Sequence, residues 1–191
     1  MNVTERIAAM LGVANVGLIV GRSVWNYPFA IAMVTLYFFV FAEAKLYSDA
    51  LLQIFFLAIN VWGWREWLRS RGAAGEVVVE ALTWRARLAW IAATVAGSLL
   101  WGYAMMELTD AAAPIPDAFV AGFSIAAQIL LAMRRLENWL LWILVDLIAI
   151  PLYHSRGLVW TAWLYGFFLC LAVAGFLAWL LAWRRQQRAS A

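Results

Sequence analysis

Seven apolar stretches, separated by short charged turns, constrain this chain more than any other feature. They are Ile7–Gly21, Trp25–Ala42, Ala50–Trp67, Leu88–Met106, Ala118–Met133, Asn138–Tyr153 and Leu158–Trp183. A membrane-spanning helix needs ~20 apolar residues, with a range of roughly 17–25, so the first, fifth and sixth are short. The first has a competing reading as a signal peptide, with Arg6 ahead of an apolar core and small residues behind it. Composition argues for the membrane. The chain is 66% hydrophobic and 13% charged, with a mean hydropathy of +0.82, whereas soluble domains are about half apolar and a quarter charged. Burying so much apolar surface requires lipid.

Charge placement orients the spans. With seven crossings the loops alternate between two sides. Eleven basic residues (Arg22, Arg65, Arg69, Arg71, Arg85, Arg87, Arg134, Arg135, Arg184, Arg185 and Arg188) fall on one side. Three (Arg6, Lys45 and Arg156) fall on the other, with the acidic loop Glu107, Asp110 and Asp117. The positive-inside rule puts the eleven in the cytoplasm, leaving the N-terminus outside and the C-terminus inside. The net charge of +3 flanks apolar runs and forms no basic patch, which excludes nucleic acid as a partner.

The chain also repeats. Slid along itself until Asn26 lies on Asn138, it stays in register without a gap as far as Trp67 on Trp179, and Gly63 falls on Gly175. Leu46/Leu158, Ala50/Ala162, Phe55/Phe167 and Phe56/Phe168 match at the same offset. Matched Leu and Phe mean little between apolar helices; matched Asn, Gly and Trp mean more. The expected fold is all-α and integral to the membrane, with seven transmembrane helices in two parallel three-helix repeats joined by a linking helix. The units are residues 1–70, a loop and linking helix at 71–110, residues 111–183, and a basic cytoplasmic tail at 184–191. Parallel repeats with substrate bound at their interface near the midplane are a transporter plan.

Polar residues within spans mark the candidate site. Asp146 is the one carboxylate in the middle of a span. It costs roughly 2.5–3.5 kcal/mol on insertion scales, which calls for a cavity, partner or ligand. At 100° per residue, Trp139, Trp142, Asp146 and Tyr153 share an arc of about 60°, and Gln53, Asn60, Trp64 and Trp67 share another. Asn138 opens the sixth span, Trp160 and Trp163 lie toward the outside on the seventh, and Gln128 lies on the fifth. Aromatic walls with amide and carboxylate groups at mid-depth suit a flat, polar, cationic ring compound, because indole faces attract cations. Two other readings compete: Trp64, Trp67, Trp139, Trp160 and Trp179 as interfacial belt residues, and the amides as interhelical glue worth roughly 0.6 kcal/mol each.

Catalytic chemistry finds no constellation. His154 sits at a span end and Cys170 has no partner cysteine, which excludes a disulfide framework and gives no Zn, haem or Cys–His set. There is no glycine loop of the GxxxxGK[ST] kind and no pair of intramembrane carboxylates. No metal, cofactor or enzymatic activity is expected, and a passive carrier fits better than a pump.

Two stretches carry a family resemblance. FAEAKLYSDALLQIFFLAINVWGWREWL (Phe41–Leu68) is similar to the second-to-third-helix signature of the PnuC-type vitamin transporters. ENWLLWILVDLIAIPLYHSRGLVWTAWLYGFFLCLAVAGFLAW (Glu137–Trp179) is similar to their sixth and seventh helices and contains their WxxW element, Trp139 and Trp142. The resemblance implies a three-plus-one-plus-three helix fold related to SWEET sugar transporters, in a bacterial inner membrane. It also implies facilitated diffusion with metabolic trapping, and it suggests a homotrimer. Trp139 and Trp142 correspond to the binding aromatics, Gln53 and Asn60 to polar positions on the third helix, and Asp146 to a position that holds Asn or Asp. The expected substrate is a small cationic aromatic vitamin, nicotinamide riboside ahead of thiamine; other members resemble it while carrying riboflavin or deoxynucleosides. A non-transporting membrane interaction protein, whose polar stripes only hold helices together, is the reading from a different class.

Overall fold

The computed structural model describes residues 3–43, 47–70, 77–108, 113–155, 157 and 159–189. Lys45, Leu46, Arg71, Asp110, Arg156 and Leu158, and the unit boundaries at 71 and 110–111, lie outside the described residues, as do the side chains of Arg6, Ala50 and Trp160. Among the described residues the chain forms seven α-helices: α1 Val3–Val20, α2 Asn26–Glu43, α3 Tyr47–Arg69, α4 Trp84–Leu108, α5 Pro114–Ala132, α6 Asn138–Ser155 and α7 Val159–Ala189. Each expected span coincides with one helix. The largest extensions add arginines, at Arg85 and Arg87 of α4 and at Arg184, Arg185 and Arg188 of α7. Hydropathy stops at such residues, whereas backbone hydrogen bonding continues through them. Four helices, α4 to α7, are long and apolar enough over their described residues to cross a membrane.

Six helices close a ring. The contacts run α1 to α2, α2 to α3, α3 to α5, α5 to α6, α6 to α7, and α7 back to α1. Helix α4 packs on α5 alone among the helices. Its buried stripe, Thr94, Ser98 and Gly102, repeats every fourth residue and so stays on one face. A side-chain carbon at Gly102 would come within 2.8 Å of Ile115, and one at Gly122 would collide with Ser98. Small residues thus let the two backbones approach closely. The other faces of α4 expose Leu88, Ile91, Leu100 and Trp101.

The turns after α1 and α5 are built alike and are related by the repeat offset. Arg22 and Arg134 adopt left-handed backbone, with φ of 55° and 59°. Arg22 N–H donates to Ile19 O at 2.9 Å and Ser23 N–H to Leu18 O at 2.9 Å; Arg134 N–H donates to Leu131 O at 2.9 Å and Arg135 N–H to Leu130 O at 2.8 Å. This is the Schellman pattern, usually closed by glycine. A non-glycine residue there costs about 1 kcal/mol or more, and both arginines then bind the segment before α4. Arg22 donates to Val77 O at 3.2 Å. Arg134 and Arg135 each pair with the Glu80 carboxylate at 2.7 Å, and Leu136 N–H donates to Glu80 O at 2.8 Å. Glu137 accepts from Arg87 at 2.8 Å and from Leu82 N–H at 3.1 Å. This strap reaches both turns and lays Val77 and Val79, both buried, into the core.

Candidate substrate cavity

Above the strap lies an aromatic layer. Tyr27 meets Trp67 edge-on at 5.3 Å, Trp67 meets Trp179 at 5.7 Å, and Trp179 meets Trp139 edge-on at 5.7 Å. Trp67 Nε1–H donates to Leu131 O of α5 at 3.0 Å, and Trp179 Nε1–H donates to Ile19 O of α1 at 2.9 Å. The two donors correspond at the repeat offset, and so do the two acceptors. Two of the four layer rings also need a glycine. A Cβ at Gly63 would lie 2.6 Å from the Tyr27 hydroxyl, and one at Gly175 would collide with the Trp139 ring. Trp67, Trp139 and Trp179 are all but fully buried, which overturns the interfacial-belt reading for these three. Trp25, Trp84 and Trp163 are the exposed indoles at helix ends.

Trp139 also borders a cavity of about 270 Å³ enclosed by the six ring helices, with no residue from α4. Five of the expected site residues line it: Gln53 and Asn60 from α3, and Trp139, Trp142 and Asp146 from α6. Three do not. Asn138 is fully buried, and its Nδ2–H donates to Arg135 O at 2.6 Å. Asn26 makes the same bond to Ser23 O at 2.7 Å, so these asparagines close turns and do not reach substrate. Trp64 packs on the outside of the aromatic layer beside an outer groove with Arg65 and Leu68. Tyr153 packs at a tilt, 5.1 Å from Tyr165, which itself lines the cavity.

Residue chemistry divides the wall. Asp146 is 4% exposed, and among the described residues it has no hydrogen-bond or ion-pair partner. Trp142 lines the same wall of α6, with Tyr165 on adjacent α7. Amides come from the other helices. Gln128 Nε2–H of α5 donates to Asn60 Oδ1 at 3.0 Å, and Asn60 Nδ2–H donates to Phe56 O at 2.8 Å. The glue reading therefore holds for this pair, although both residues face the cavity.

Asn15, Met33, Ser124, Tyr165 and Phe168 also line the cavity, and no motif or wheel singles them out. The offset that reveals the repeat points to several of them. Gln53 maps to Tyr165, Phe56 to Phe168 and Asn60 to Ala172, and all six line the cavity. The equivalents of Trp142 and Asp146 are Ala30 and Val34, also in the wall. Positions repeat and chemistry does not. Among the described residues no cluster of His, Cys, Asp or Glu could hold a metal ion.

A family model described as nicotinamide mononucleotide transporter matches residues 2–181, nearly the whole chain. The chain belongs to this family. It is similar to the nicotinamide riboside transporter PnuC of Escherichia coli, with 27% identity covering 92% of this chain and 84% of that protein. It is similar also to the riboflavin/roseoflavin transporter RibM of Streptomyces davaonensis, with 31% identity covering 97% and 88%. A crystal structure of the vitamin B3 transporter PnuC superposes with a TM-score of 0.73 at 29% identity, covering 94% of this chain and 81% of that one. The chain is thus a multi-pass membrane transporter of a small-molecule vitamin, and its cavity stands at the centre of the helix ring.

Proposed function

We propose that this transporter carries nicotinamide riboside by facilitated diffusion, bound in the central cavity. The carrying observation is Asp146, a buried carboxylate facing the cavity with no cation beside it among the described residues. An unpaired carboxylate at membrane depth is costly, and a ligand cation relieves that cost. The pyridinium ring of the riboside is flat and positively charged, so it stacks on Trp142 and Trp139 while Asp146 offsets its charge. Gln53 and Asn60 line the same cavity, Asn60 bonded to Gln128 and to Phe56 O, and add polar surface beside the ring. A second reading, riboflavin, has support in the relative RibM, but its ring system is neutral and gives Asp146 no counter-charge.

The movement in this reading is a rocking of two parallel units, α1–α3 against α5–α7, with α4 reversing the chain between them. The reciprocal bonds from Trp67 to Leu131 and from Trp179 to Ile19 support it, as do the matching turns at Arg22 and Arg134. The arginine-rich ends face the cytoplasm of a bacterial inner membrane with the N-terminus outside, supported by the basic turns bound to the strap. A trimer belongs to the same reading, and native mass spectrometry tests it.

Calorimetric titration of the detergent-purified protein with nicotinamide riboside, riboflavin and thiamine decides the substrate. Saturable binding of the riboside alone is expected. Binding of riboflavin alone, or of thiamine alone, would overturn the riboside assignment. Uptake into proteoliposomes should not respond to proton or sodium gradients; a response to either would refute facilitated diffusion.

A further inference from the structure

Asn15 lies in α1 and lines the cavity, yet neither its motif nor its span draws attention to it. Its Oδ1 is buried with no hydrogen-bond partner. Some other polar side chains in these helices bond back to their own backbone. Asn60 donates to Phe56 O at 2.8 Å and Thr35 donates to Ile31 O at 2.7 Å. Tyr27 Oη, Ser98 Oγ, Asn138 Oδ1 and Trp139 Nε1 are buried without a partner like Asn15 Oδ1; of these four only Trp139 also lines the cavity, and its Nε1–H is a donor. The remaining amides of the wall are engaged as well, Asn60 and Gln128 with each other and Gln53 with a partner of its own. A buried acceptor left open in this way is rare, because leaving it unmade is expensive. The fold does not demand an amide at this place either, since the equivalent position in the second repeat carries Ala127, which is buried in the helix packing.

We infer that Asn15 is a specificity-determining residue of the cavity, its Oδ1 accepting a hydrogen bond from a hydroxyl of the substrate's sugar. The assignment rests on the riboside reading given above. Helices α1 and α6 are not in contact, so a ring stacked on Trp142 beside Asp146 must extend across the cavity to reach Asn15. The part that extends from a pyridinium riboside is its ribose. Charge points the same way. Asp146 already matches the cationic ring, and a neutral carbonyl oxygen suits an uncharged donor. The free base is a neutral pyridine that would leave Asn15 unsatisfied and bring Asp146 no charge, so Asn15 adds to the discrimination of the riboside from its free base.

The test is a thermodynamic cycle on the full chain in detergent. Nicotinamide riboside and its three monodeoxy analogues are titrated into wild type, Asn15→Leu and Asn15→Asp, with melting temperatures recorded. Asn15→Leu keeps the side-chain size and removes the acceptor; Asn15→Asp restores it. Asn15→Leu should weaken the riboside about fivefold or more, and Asn15→Asp should bind it at least as well as wild type. One deoxy analogue should bind wild type and Asn15→Leu equally, because the contact is already missing from the ligand. Unchanged riboside affinity in a folded Asn15→Leu variant would overturn the inference alone, as would additive losses with all three analogues. A wild type that ignores the riboside would overturn the substrate reading and this assignment with it.

Discussion

Gly175→Ala is the smallest change that tests whether the aromatic layer shapes the cavity. The added methyl would collide with the six-membered ring of Trp139 at its Cζ2, Cζ3 and Cη2 atoms. Such overpacking costs typically ~1–3 kcal/mol, against about 1 kcal/mol gained from the better helix propensity of alanine. Gly166, on the same helix, has nothing within 4 Å of an added Cβ, so Gly166→Ala carries the propensity gain without the collision. The two variants should therefore differ in stability by about 1–3 kcal/mol, with Gly166→Ala the more stable. Function separates a third variant. Gly63→Ala would press on Tyr27 at 2.6 Å, a comparable strain, but Tyr27 does not line the cavity and Trp139 does. Both Gly63→Ala and Gly175→Ala should lower the melting temperature, and only Gly175→Ala should weaken ligand binding. Adding Trp139→Phe to Gly175→Ala should recover stability, because the shorter ring withdraws from the methyl. Thermal unfolding in detergent and calorimetric titration read both quantities. A Gly175→Ala protein as stable as Gly166→Ala, with wild-type affinity, would refute the packing account.

Three further outcomes follow from the geometry. Trp67→Phe and Trp179→Phe each remove one of the two bonds to a buried carbonyl, of Leu131 or Ile19, which keeps the backbone N–H of Arg134 or Arg22; each lost bond should cost about 0.5–1.5 kcal/mol by thermal unfolding, and the two losses should be similar. Glu137→Gln removes the charge that pairs with Arg87 and keeps an amide oxygen to accept from Leu82 N–H; because Arg87 is 40% exposed, the loss should be about 1 kcal/mol or less and should shrink in high salt. Asp146→Asn and Trp142→Ala should weaken riboside binding at least tenfold while the melting temperature holds; wild-type affinity in both would sink the site.

The seven helices were legible as seven apolar stretches, and four of them, α4 to α7, are long and apolar enough over their described residues to cross a membrane, where every backbone group must bond internally. The repeat was legible for a different reason. Identical turns need identical residues, which is why Asn26 and Asn138 survive at the same offset as the glycines under the rings of Tyr27 and Trp139. The helical wheel placed Gln53, Asn60, Trp142 and Asp146 on cavity faces correctly. It also grouped Trp64 and Tyr153 with them, because angle around a helix carries no information about depth. Asn138 misled for a related reason, since an asparagine that closes a turn has the same letter as one that binds a ligand.

Sequence alone therefore pointed to the helices and to the positions that match one another at a single offset. Tertiary structure decided which of those positions share a wall. Helix α4 stands outside the ring, its buried face a stripe of small residues that packs on α5. Trp67 and Trp179 each bond a carbonyl far away in the chain, on α5 and α1, contacts that no local pattern encodes. Asn15 belongs to the cavity for the same physical reason. Its helix is brought round by α7 to close the ring, and only then does its open oxygen face a space that another molecule can fill.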